Sequence, residues 1–286
     1  MDAAASAPVI RRVQVAAVAT ETRARVGPDG TTIALDIGGV GSMTATAIEC
    51  VSTARDDHGH HSLDAIAGEW AWGQMLGLRG TFAFHGATLE RDGYGLAIFG
   101  APRAGTSLTA LALSRRGWHL VADGTCPIVV ESAAGEGEEV LALPGDGHLQ
   151  VDRAVTAAFP PQEPFADAQT PRVRTNIAVS TTGPTRLDRI VVLLPSNVRR
   201  TGLVVPANHE GGNPALMLAA NAVLGAALRE ANPTLNQGLL DTCSRTVSAV
   251  PFDAALIPAG NSQAIFDPGQ IATLISEHIV SSGHDD

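Results

Sequence analysis

A chain of 286 residues and 29.4 kDa, 45% apolar and 17% charged, can fill one large domain or a main domain with a smaller partner, and is not disordered throughout. Its formal charge of −10, from 19 basic and 29 acidic residues, argues against a nucleic-acid partner, and the basic stretches at 186–189 and 198–200 are too short to reverse this. Cys50, Cys126 and Cys243 are widely spaced with no C-x-x-C, the start "MDAAASAPVIRRVQV" has no continuous apolar run, and "PALMLAANAVLGAAL" is shorter than a membrane span. A soluble cytoplasmic protein with reduced thiols and no membrane partner is therefore expected.

Residues 1–9 read as a loose tail. "RRVQVAAVA", "TTIALDIG" and "MTATAIECVS" have strand-length apolar patterns separated by glycine-rich turns, which predicts an amino-terminal sheet of hairpins. "RDDHGHHS" reads as a polar connection and "LDAIAGEWAWGQMLGLRG" as a helix. "TFAFHGATLE", the turn "RDGYG" and "LAIFG" then predict a hairpin that ends in a glycine-rich loop. A helix with Leu108, Leu111, Ala112 and Leu113 follows and stops at "RRG", where Gly117 suits a left-handed cap.

"WHLVAD" predicts the next strand, and "TCPIVVES" and "EEVLALPG" flank an exposed turn, "AAGEGE". "FPPQEPFADAQTP" is a proline-rich linker or lid, and "LDRIVVLLPS" is a buried strand. Asn213 and Pro214 open a helix that reads as continuous to Leu228 and apolar nearly all round. "DPGQIATLISEHIV" is a final amphipathic helix before a frayed tail. These elements group into an amino-terminal sheet and helix at 1–77, a core at 78–205, and a helical and strand region at 206–286 that completes the same unit. The order is that of an α/β fold with flanking helices, not a simple βαβ repeat.

The loop "GAPRAGTS" fits the phosphate-loop spacing G-x-x-x-x-G-K-[ST] from Gly100 through Gly105, with Thr106 where Lys belongs. Small residues let the backbone turn tightly, so that its N–H groups and the helix start face an anion. Ser107 stands where a Mg²⁺-binding hydroxyl belongs. Arg103 offers charge from another direction, but its planar fork is not equivalent to Lys. A glycine turn before a helix is also an ordinary structural device, and both readings stay open on the pattern alone.

The stretch from about Leu78 to Val130 resembles the kinase domain of the HPr kinase/phosphorylase family and its shorter relatives, some of which accompany ribosomal-peptide biosynthetic genes. The resemblance rests on His85, fifteen residues before the loop, on Gly100, Gly105 and Ser107, on "RRG" at 115–117, on Asp123 closing "LVAD", and on "ALPG" at 142–145. Thr106 departs from it in place of Lys, and Gly124 in place of a second Asp. The resemblance implies an HPr kinase C-terminal-domain-like, phosphoenolpyruvate carboxykinase-like mixed-sheet fold with a degenerate phosphate loop. It implies ATP or GTP with Mg²⁺, held by Gly100, Arg103, Ala104, Gly105, Thr106 and Ser107, with the metal on Ser107 and Asp123. Asp123 and His85 are the implied catalytic pair, the substrate a hydroxyl of a peptide or small molecule, and self-association is compatible with it.

Two departures keep other functions in view. A descendant that binds a peptide or partner without catalysis fits Thr106 and Gly124. A nucleotide-independent enzyme performing cyclisation, isomerisation or hydrolysis would use His85 and Asp123 as acid and base. "DDHGHH" reads as a solvated connection rather than a metal site, because a loop gives Asp56, Asp57, His58, His60 and His61 no convergence. "PANHEGGNP", with His209 and Glu210, reads as a candidate active-site loop without the H-E-x-x-H of a zinc protease. Cys243 reads as a buried helix residue.

Overall fold

The computed structural model describes residues 10–15, 23–132, 137–145, 148–152, 164–165, 172–176, 179, 183–196, 204–206, 212–258 and 267–282. The chain divides into two compact units, 1–83 with 222–241 and 84–221 with 242–286. "AAGEGE" up to residue 136, all of "FPPQEPFADAQTP" except Pro164 and Phe165, and His209 and Glu210 lie outside the described residues.

The first unit opens with β1 (Ile10–Gln14), β2 (Arg23–Val26), β3 (Ile33–Ile37), β4 (Gly41–Ala45) and β5 (Cys50–Ala54), in the order β1-β5-β4-β3-β2. β2 to β5 form the expected hairpins, and β1 joins parallel to β5. β4 and β5 bury alternate residues, among them Met43, Ala45, Cys50 and Ala54, as a half-buried sheet requires. α1 (Asp57–Leu78) packs on these two strands. A Cβ on Gly59 would lie 2.9 Å from Ala54 Cβ, so glycine there permits the close approach.

Two expectations are corrected here. "MTATAIECVS" is two strands, not one: the Thr46 hydroxyl accepts from the amides of Ile48 and Glu49 and closes a turn with no glycine or proline. "RDDHGHHS" is not a connection, because Asp56 caps α1 by accepting from Gly59 N at 2.8 Å and Asp57 begins the helix. The side chains of His58, His60 and His61 lie outside the described residues.

In the second unit, β6 (Phe82–Arg91, entering from the first) pairs antiparallel with β7 (Tyr94–Gly100) across a turn with Asp92 at φ 55° and Gly93 at φ 81°. α2 (Thr106–Ser114), β8 (His119–Ser132), β9 (Glu138–Ala142) and β10 (His148–Asp152) follow. Next come β11 (Pro164–Phe165), β12 (Arg172–Asn176), β13 (Thr185–Arg186), β14 (Arg189–Ser196) and β15 (Val204–Pro206). α3 (Pro214–Ala220) follows β15 and carries the predicted cap, with Asn213 Oδ1 accepting from Ala215 N at 3.0 Å.

The helix expected to run on to Leu228 stops at Ala220, a third correction. α4 (Ala226–Ala231) begins only after a break in which Gln74 accepts from Gly225 N and donates to Val223 O. α5 (Pro233–Ala249), β16 (Phe252–Pro258) and α6 (Pro268–Ser282) complete the chain.

An eight-stranded mixed sheet, β13-β9-β8-β6-β7-β14-β16-β15, and a three-stranded one, β10-β12-β11, make the second unit. The mixed-sheet α/β architecture expected from the sequence is thus the one found. β7, β14 and β16 run parallel to one another, and most of their apolar residues are buried, on both faces. One face joins Ala87, Leu89, Leu96, Ile98, Val191 and Leu193 to α2 and α6 in a continuous core. Arg116, at the end of α2, donates to Ala112 O on its own helix and to Gly269 O and Thr273 Oγ1 on α6, so the two helices are tied together. No helix among the described residues is long and apolar enough to cross a membrane.

Candidate functional site

β7 delivers the chain into the loop at Gly100. Ala104 N donates to Ala101 O at 2.9 Å, with Pro102 second and Arg103 third at φ 71°. Proline followed by a left-handed residue is the pattern of a type II turn, which favours glycine at the third position, so Arg103 holds an uncommon conformation. Its side chain is exposed. Gly105 is left-handed as well, at φ 90°, and is the N-cap of α2 with no side-chain hydrogen bond. The first turn of α2 therefore meets the loop with backbone donors that no cap occupies.

Ser107 projects from that turn, and its Oγ donates to Asp123 Oδ1 at 2.9 Å. This contact brings the helix start together with a half-buried carboxylate on β8. Gly124 follows it with φ 77°, a left-handed backbone in which a residue with a Cβ would be strained. The missing second carboxylate thus coincides with a backbone suited to glycine. "ALPG" lies against the same strand: Gly145 N donates to Val121 O at 2.8 Å, and a Cβ on Gly145 would lie 3.0 Å from Ala122 Cβ.

His85 is on β6, between the strands that carry Asp123 and the loop. Gly86 is opposite Phe99, so His85 is one step further on, level with Gly100. It shares a strand face with Ala87 and Leu89, which pack in the core with α2. Its amide donates to Asn221 O at 2.7 Å, just past α3. Asn221 was not singled out in the sequence, because its contribution here is a backbone carbonyl; its side chain donates to Met217 O and closes α3.

Thr106 is only 4% exposed. A Cβ on Gly100 would lie 2.9 Å from Ala104 Cβ and 3.3 Å from Thr106 Cγ2, so methyl groups pack the inside of the turn where a Lys side chain would start outward. Of the amides expected to face an anion, Ala104's is used within the loop and Pro102 has none. The amides of Gly105, Thr106 and Ser107 are those at the helix start. Among the described residues, no group of three or more His, Cys, Asp or Glu converges as a metal set. Cys243 is buried on α5, as expected.

No family model and no curated protein matches the chain. Among solved structures it is similar to the Hpr(Ser) kinase/phosphatase from Coxiella burnetii, at 15% identity and a TM-score of 0.35, over 71% of this chain and 94% of that one.

Proposed function

We propose that this chain is a divergent kinase-like enzyme that binds the phosphates of ATP or GTP at the start of α2 and transfers a phosphoryl group to a hydroxyl of a peptide or small molecule. The observation that carries this is the hydrogen bond from Ser107 to Asp123 beside an uncapped helix start. A hydroxyl and a carboxylate held 2.9 Å apart suit the small protein share of a Mg²⁺ site, where phosphate and water supply the other oxygens. When bound, the ion neutralises charge on the phosphate oxygens.

The amides of Gly105, Thr106 and Ser107 donate to the anion, and the helix dipole favours its charge. Asp123 orients Ser107 and is the carboxylate nearest to accept a proton from the attacking hydroxyl. His85, level with Gly100, is the second candidate for proton transfer. Setting in peptide natural-product biosynthesis and self-association belong to the same proposal and rest on the resemblance alone, and a cytoplasmic location belongs to it on the cysteine spacing and apolar pattern of the sequence.

A second reading, a non-catalytic descendant that binds a peptide or partner, is favoured by the buried Thr106 and the exposed Arg103. Loss of one positioned electrostatic donor costs ~3–4 kcal/mol of transition-state stabilisation, roughly 10²–10³ in rate.

Calorimetry with ATP and GTP, with and without Mg²⁺, separates the two. Mg²⁺-dependent binding that falls at least about tenfold in Ser107→Ala and in Asp123→Ala is the expected result. Absence of binding at millimolar nucleotide by a folded chain would assign the second reading. Asp123-dependent turnover without nucleotide would replace both with the nucleotide-independent enzyme.

A further inference from the structure

The parallel strands β7, β14 and β16 point their carboxyl ends toward the loop; a groove of about 400 Å³ lies at their opposite ends. Val140, Leu187 and Val250 line it and are each buried to within 4%. Glu138, Glu139, Asp188 and Arg186 are its charged lining. Arg186 Nη2 pairs with Asp188 Oδ1 at 2.5 Å, and Arg245 Nε pairs with Glu138 Oε1 at 2.6 Å. Glu139 instead stands opposite Glu131 in the β8–β9 register, and like charges placed directly across a ladder are destabilising. The groove and these neighbours hold four carboxylates, Glu131, Glu138, Glu139 and Asp188, against two guanidiniums, Arg186 and Arg245.

The backbone beside the groove points the same way. β13 covers β9 only at Leu141 and Ala142, and Leu187 N extends the pairing by one bond to Val140 O at 2.8 Å. Among the described residues, no strand pairs with the outer edge of β9 at Glu138, while the backbone of Glu139 faces β8. A bare edge, an apolar floor and surplus negative charge suit an added strand whose side chains alternate between apolar and cationic.

We propose that this groove docks an extended peptide segment bearing Arg or Lys beside an apolar residue, which lies along the outer edge of β9 at Glu138 with its cation near Glu139. The site is independent of the phosphate loop. Fluorescence anisotropy on the full chain tests it, using a labelled, end-blocked peptide of alternating valine and arginine and a counterpart with glutamate for arginine. Saturable binding of the arginine peptide is expected, at least about tenfold tighter than the glutamate peptide and weakening as salt rises. Glu139→Lys is expected to lower that affinity about tenfold, and the shape-preserving Glu139→Gln about threefold.

Equal affinity for the two peptides, or unchanged binding in both variants, would overturn the proposal. So would self-association in sedimentation velocity that Glu139→Lys abolishes and the arginine peptide fails to compete, since the groove would then belong to a second copy of the chain.

Discussion

The two ends of the eight-stranded sheet differ in how they treat charge. At the start of its parallel strands, Arg189, whose side chain is 11% exposed, donates to Asp253 at 2.6 Å and to Tyr94 at 3.3 Å. Burial works against the Arg189 charge, but the Tyr94 hydrogen bond and the Asp253 carboxylate outweigh it, and its pKa is raised. Trp118 meets Tyr94 edge-on at 6.2 Å, and Arg91 covers the Trp118 ring at 4.9 Å. At the loop end, glycines and methyl groups shape the backbone, and backbone donors of the helix start stand next to one hydroxyl–carboxylate pair. Side chains lock the first end. The second leaves the helix start without a side-chain cap, the feature on which the proposed anion binding rests.

Breaking the locked end is expected to have the largest effect. Arg189→Met leaves Asp253 buried without its cation, and the loss in urea denaturation should be about 3–5 kcal/mol, whereas Arg189→Met with Asp253→Leu should recover much of it. At the loop end the effect should fall on binding instead. Thr106→Lys, if the added ammonium can leave the packed turn, should tighten Mg²⁺–ATP binding by about tenfold to a hundredfold in calorimetry, the worth of one charge-assisted hydrogen bond. No gain there would indicate that the methyl packing, rather than the missing charge, closes the site.

Gly105→Ala forces a left-handed residue to carry a Cβ and should cost about 1–2 kcal/mol of stability, with nucleotide binding weakened alongside. Asn213→Ala removes the α3 cap, and thermal melting should register about 1 kcal/mol. Arg91→Ala is the mildest change at the locked end, about 0.5–1 kcal/mol, because the cation over Trp118 is partly solvated.

The loop, the helix behind it and the hairpin before it were legible because each carries local punctuation: glycine at the turns, apolar runs between them, and Gly117 at φ 86° after the last turn of α2. The turn at Thr46–Glu49 was not, since a hydroxyl does there what glycine usually does. The break between α3 and α4 was hidden for a related reason. Gln74, some 150 positions earlier, holds the backbone at Val223 and Gly225, and local propensity contains no trace of so distant a partner. β16 is hard to read because it includes Asp253, a charge that makes sense only once Arg189 is beside it.

For the site, the resemblance put Ser107 and Asp123 together, and the structure joins them by a hydrogen bond. The inward packing of Thr106 and the outward position of Arg103 depend on the turn from Ala101 to Ala104, which a motif does not encode.

The clamp made by Arg116 has a mechanical consequence. Because one guanidinium grips α2 and α6 at once, whatever shifts the last helix pulls on the element whose opening turn faces the loop. The carboxy-terminal helix is in effect a handle on the loop end of the sheet: a partner that seized it, or a substitution that bent it, would shift the first turn of α2 without touching a residue of the loop.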